Sequence, residues 1–135
     1  MRTQKIIISA LLILLFFGFR FATAMDRWSA LSMIESGDND AAIGPAGELS
    51  RFQIKPVLWE NLCPQQPAAR TDPETARHVA QAIMHERCGK FEAQFHRPPT
   101  DFEFYVLWNA PAQIQRPGKA VAERANRYCN LVGDR

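Results

Sequence analysis

Glu35 closes an apolar helical stretch and is followed at once by Ser36 and Gly37. A loop rich in Asp, Asn, Gly and Pro then leads back to Phe52-Gln53-Ile54. A carboxylate in the last turn of a helix meets the negative end of the helix dipole, which favours its protonated form. If Trp28, Phe52 or Trp108 dries its surroundings, desolvation pushes the same way. Both effects carry a carboxyl toward the range that a general acid needs near neutral pH. The plain alternative is a solvated glutamate at a helix end. Glu48, in the following loop, is a second carboxylate. Facing Glu35 across a cleft, it could activate a water for hydrolysis; at the surface it would pair with Arg51 and contribute little.

Other reactive residue types form no such set. His78 and His85 lie seven apart on one helix face, and His96 lies just past it, with no third ligand and no His-Glu-x-x-His spacing. A metal site is therefore not expected. Cys63, Cys88 and Cys129 suggest one disulfide plus one thiol if the chain is exported. Three pairings exist; Cys63–Cys88 is favoured because it would tie a Pro-rich loop to the helix after it. Neither a phosphate-cradling Gly-rich loop nor a Ser-His-Asp set in recognisable context is present, so no cofactor is implied.

The elements that must position these groups read as helices. Asp26 can cap a helix with Trp28, Leu31 and Ile34 on one face and Gly37 as its stop. Residues 38–51 read as a loop, with at most a small β-hairpin near residues 43–52. Pro56 opens a short helix through Trp59, and residues 64–71 form a polar connector. The longest helix is expected over residues 72–95, with Ala76, Val79, Ala80, Ile83, Met84, Phe91 and Phe95 at helical spacing. Its length suggests the central core helix. Thr100 and Glu103 form a capping box for the next helix, which Pro111 ends. A last helix carries Val121, Ala125, Tyr128 and Val132 and stops at Gly133. The fold class expected is mainly α, a single helical domain.

Arg2 and Lys5 precede an apolar run from Ile6 to Phe17, and Ala22-Thr23-Ala24 supplies a small-residue cleavage pattern. Residues 1–24 therefore read as a secretory leader cut after Ala24, leaving residues 25–135 as one domain. The run is short for a bilayer span and Arg20 follows it closely, so no membrane span is expected in the mature chain. Loss of Arg2, Lys5 and Arg20 turns the formal charge of +2 into −1. No basic stripe is present, so nucleic acid is not an expected partner.

Glu35-Ser36, Ala42, Gly47, Gln53 and Pro56 stand at offsets that resemble the first motif of the soluble lytic transglycosylases, a lysozyme-like family. There a Glu-Ser pair is followed by Ala, Gly-Ala, Gly-Leu-Met-Gln and Pro. The segment Tyr105-Val-Leu-Trp-Asn109-Ala110-Pro111 is similar to the family's Ala-x-Tyr-Asn-Ala-Gly motif. Glu123 to Val132 is loosely similar to its closing Glu-Thr-x-x-Tyr-Val segment. The three segments keep the family's order across nearly all of residues 25–135. There are departures. Glu48 stands where the family has alanine, and Ser50-Arg51-Phe52 replaces Gly-Leu-Met. Trp108 replaces a tyrosine and so lacks its hydroxyl. Tyr128 aligns with the closing tyrosine, whereas Glu123 is one residue out of register with the family's glutamate. Tyr128 could supply the missing hydroxyl or serve as a core tyrosine.

The resemblance implies a lysozyme-like fold and cleavage of the β-1,4 bond between N-acetylmuramic acid and N-acetylglucosamine in peptidoglycan. Glu35 would act as acid and then base, leaving a 1,6-anhydromuramyl end. It also implies substrate-contacting or supporting roles for Ser36, Gln53 and Asn109; Glu48, Phe52, Trp108 and Tyr128 complete the candidate set. An exported monomer acting on glycan strands at the cell wall, in the periplasm or outside the cell, is expected. Two other readings stand beside it. One is an inverting glycoside hydrolase, lysozyme- or chitinase-like, that uses Glu35 and Glu48. The other is a module that binds wall glycan without cleaving it.

Overall fold

The computed structural model describes residues 24–64 and 67–133; the expected leader, apart from Ala24, lies outside them. Among the described residues five α-helices carry the fold: α1 Arg27–Ser36, α2 Pro56–Leu62, α3 Pro73–Phe95, α4 Asp101–Asn109 and α5 Lys119–Val132. Short 3-10 turns at Pro67–Thr71 and Pro111–Gln113 join them. The molecule is mainly helical, as the spacing of its apolar residues predicts. No described helix is long and apolar enough to cross a membrane.

The helix ends follow from local chemistry. The Asp26 carboxylate accepts from the Trp28 and Ser29 amides at 2.9 and 3.2 Å and so caps α1. Gly37, at φ 66°, closes that helix in the left-handed conformation that glycine adopts without steric cost. Thr100 and Glu103 exchange capping bonds at the start of α4. Arg97 grips the Glu103 carboxylate through two 2.7 Å bonds, which with the capping bonds hold its pKa down at about 2.

The central helix is not the long one. Phe104, Tyr105, Val106, Leu107 and Trp108 are consecutive residues of α4, and all five are buried. A helix that is apolar on every side must sit inside, whereas an amphipathic helix covers the core with one stripe. The long α3 does the latter, with Ala76, Val79, Ala80, Ile83, Met84 and Phe91 facing inward and much of its remaining surface in solvent. Length thus misleads, and the all-round apolar character of a nine-residue segment decides. Around α4 pack α5 and α3, and α1 packs on α5. Arg27 ties α1 to α4 by a 2.6 Å ion pair with Asp101 while lying over the Phe104 ring.

The loop after α1 folds into a minimal antiparallel arrangement in which Ile43 bridges Leu49 and Leu49 bridges Ile54. It extends the expected hairpin by two residues without forming extended strands. The expected Cys63–Cys88 bridge is not formed: both residues are free thiols, partly buried against the core. Apolar packing already holds each in place, with no crosslink needed.

Candidate active site

The end of α1, the loop, the start of α2, the middle of α3, the end of α4 and the middle of α5 enclose a cleft of about 330 Å³. That volume falls in the range of small-molecule sites. Glu35 and Glu48 both line it, together with Gln53, Trp108, Asn109 and Arg124.

Glu35 reaches the cleft from the last turn of α1 with a side chain only 7% exposed. One oxygen, Oε1, accepts a 2.7 Å hydrogen bond from the Tyr105 hydroxyl and lies 3.4 Å from Nη2 of Arg124. Burial raises the pKa of Glu35 above the ordinary carboxyl value. The Tyr105 bond and the Arg124 charge oppose that rise, and the negative charge of Glu48 adds to it. With Oε1 occupied by two donors, the acidic proton belongs on Oε2. That oxygen has no protein partner among the described residues and is not sealed from solvent.

Glu48 does not pair with Arg51. Arg51 turns outward to Asp40, with bonds of 2.5 and 3.0 Å, and lies 3.8 Å from Asp38. Glu48 is free to face the cleft, where its carboxylate accepts from the Ala46 amide at 3.0 Å. The turn that presents it depends on Gly44. A Cβ there would run into the side-chain oxygens of both Glu48 and Gln53. Gln53 donates from Nε2 to the Ser50 carbonyl at 3.0 Å, which leaves its carbonyl oxygen at this crowded edge of the cleft.

Three residues of the loop after α1 take left-handed backbone without being glycine: Asp38 at φ 62°, Ser50 at φ 68° and Gln53 at φ 53°. Such residues cost roughly 1–2 kcal/mol each. Ser50 occupies the place where the resembled motif has glycine, and its backbone is one that favours glycine. The loop is tethered to the helix by Ser36, whose hydroxyl donates to the Arg51 carbonyl at 2.8 Å and accepts from the Asn39 amide at 3.0 Å. Ser36 therefore holds the loop against the helix that carries Glu35.

The other expected site residues separate into two groups. Trp108 and Asn109 line the cleft, and the Asn109 side chain has no protein partner among the described residues. Phe52 and Tyr128 are not brought to it. Phe52 is 2% exposed and stands edge-on behind Trp108, with ring centroids 6.4 Å apart. Tyr128 is fully buried, donates to the Arg27 carbonyl at 3.3 Å and packs on the Phe104 and Tyr105 rings. It is a core tyrosine here. The hydroxyl that reaches Glu35 comes from Tyr105, three residues before Trp108 in α4.

Sequence reasoning missed three residues. Tyr105 stands in the motif-like segment with no role assigned to it there, although its spacing of three from Trp108 places it on a neighbouring position of the same surface. Arg124 stands one residue after Glu123, where the resembled family has its glutamate. Arg87, on α3, donates from Nη1 to the carbonyls of Leu107 and Trp108 at 2.8 and 2.7 Å. It thereby satisfies the last turn of α4 and fixes the Trp108–Asn109 wall. Comparisons with protein-family models, with curated proteins and with solved structures find no match.

Proposed function

We propose that this protein is a lytic transglycosylase that cleaves peptidoglycan glycan strands. The observation carrying the proposal is Glu35: a carboxyl with a raised pKa, buried beside a sugar-sized cleft, with one oxygen held by Tyr105 and Arg124 and the other open. The ordered motifs around it supply the substrate class, and the lysozyme-like fold belongs to the same proposal.

The chemistry follows from that oxygen. Oε2–H of Glu35 gives its proton to the glycosidic oxygen as the bond to the muramyl anomeric carbon breaks, and the N-acetylglucosamine side leaves as an alcohol. The resulting carboxylate is stabilised by the Tyr105 hydroxyl and the Arg124 guanidinium, both already in place. It then takes the proton from the muramyl C6 hydroxyl, whose oxygen closes on the anomeric carbon. Glu35 ends protonated again, and no water is consumed. A single carboxyl serves both steps because an internal hydroxyl replaces water.

A second reading is favoured by one observation, the presence of Glu48 in the same cleft. A second carboxylate could activate a water against the opposite face of the sugar and give hydrolysis with inversion. Mass spectrometry of digested wall separates the two. Transglycosylation leaves anhydromuramyl ends lighter by one water than the reducing ends of hydrolysis. An intact polymer after prolonged incubation with the protein would refute both readings.

A further inference from the structure

The charges around the cleft do not cancel locally. Glu35 is engaged by Arg124, and the Glu48 carboxylate by the Ala46 amide. Lys55 and Arg87 also line the cleft, and neither has an acidic partner within ion-pair distance among the described residues. The nearest candidate in sequence, Glu86, is taken by Lys90 at 2.5 Å.

Arg87 is the more informative of the two. It is partly buried, and burial disfavours its charged form. Only Nη1 is committed, to the Leu107 and Trp108 carbonyls. Its remaining guanidinium donors have no protein acceptor among the described residues, yet none is sealed away from solvent. A guanidinium presents five donors in a planar fork suited to a carboxylate.

The surroundings are apolar. Ile83 stands one helical turn before Arg87 on α3, and Leu58 lies in the first turn of α2, three residues after Lys55. All four line the same cleft, and α2 packs on α3. Two cations beside an aliphatic pair suit a ligand that carries a carboxylate on a partly apolar stem. A neutral sugar would leave both charges unanswered.

We infer that the wall formed by Lys55, Leu58, Ile83 and Arg87 is a subsite for the acidic peptide branch of the glycan strand. The inference rests on the wall-glycan reading and deepens it. The peptide branch hangs from the muramyl sugar and carries free carboxylates. One of them docks on the Arg87 fork and Lys55, while aliphatic side chains of the branch cover Leu58 and Ile83. Because Arg87 also holds the Trp108–Asn109 wall, the subsite and the sugar-binding wall share a support.

The test uses the Glu35→Gln protein, so that strands are bound without being cut, and measures affinity by calorimetry. Three probes are compared: strands bearing their peptides, strands stripped by an amidase, and peptide-bearing strands with the carboxylates amidated. A charge-assisted carboxylate contact of this kind corresponds to roughly tenfold tighter binding of the first probe over the other two. Adding Lys55→Gln should cut that preference several-fold, and Arg87→Lys, which keeps the charge but loses the fork, should cut it further. Thermal melting confirms that each variant is folded. Equal affinity for all three probes overturns the subsite while leaving the wall-glycan reading intact. Preference for peptide-bearing strands whether or not they are amidated overturns the ionic part of the proposal. Binding of no probe overturns the subsite and the glycan reading together.

Discussion

Replacing Arg124 by glutamine should raise the pKa of Glu35 and move the alkaline limit of activity upward. The guanidinium lies 3.4 Å from Glu35 Oε1, and its side chain is about one-third exposed. With an effective dielectric of about 40 to 80 for such a half-wet pair, Coulomb's law gives roughly 1 to 2.5 kcal/mol. Screening by salt and the mobility of the guanidinium take the lower end of that range. The carboxyl should therefore titrate higher in Arg124→Gln, because this attraction to its charged form is gone. Carbon-detected NMR of labelled glutamate reads the shift directly, and the pH profile of kcat/KM on wall glycan reads its consequence. Two companions fix the sign of the neighbouring effects. Tyr105→Phe removes a donor to the carboxylate and should also raise the pKa, whereas Glu48→Gln removes a like charge and should lower it. An unmoved or lowered titration in Arg124→Gln would show that the ion pair does not govern this acid, and the assignment of the base step would fall with it.

Glu35→Gln should stabilise the fold at neutral pH. The folded-state pKa of Glu35 is raised, so the stability associated with its protonated form is present below the unfolded value and is lost as pH rises through the folded value. Removing the ionisable group should add stability at pH 7 and none at pH 3, read from urea melts at both; an equal effect at both would refute it. At Ser50, whose φ is 68°, replacement by glycine should change stability by less than about 1 kcal/mol, while valine should cost more than about 2. Denaturant melts of the two variants that coincide would remove the argument for a glycine-like backbone there. Gly44→Ala should push the Glu48 and Gln53 head groups out of place and lower kcat/KM at least about tenfold, since both are flexible ends that can yield without unfolding the loop. Unchanged kinetics in a folded Gly44→Ala protein would mean that neither head group needs its present position.

The elements were legible because their boundaries are set by single residues: Asp26 and Gly37 for α1, Pro56 for α2, Thr100 with Glu103 for α4, and Gly133 for α5. Packing order was less legible. The 23 residues of α3 present a clear apolar stripe, yet the unbroken apolar run from Phe104 to Trp108 outweighs it, because burial depends on how many sides of a helix are apolar. Of the site, Glu35 could be read from its helix-end position, and Gln53, Trp108 and Asn109 from ordered motifs. Tyr105 and Arg124 could not, since their partner lies 70 and 89 residues away in the chain. Helical periodicity reports local faces, and contacts at that range come from tertiary packing. Phe52 and Tyr128 show the converse: an aromatic residue inside a motif can serve the wall behind a site without touching what occupies it.

Digestion of purified wall in oxygen-18 water tests the proposed chemistry most directly, because an internal hydroxyl and an external water leave different atoms at the cut end. The proposed mechanism predicts anhydromuramyl products free of the heavy isotope, formed by the native protein and absent with Glu35→Gln. Cut ends carrying oxygen-18, or cleavage that survives the loss of the Glu35 carboxyl, would contradict it.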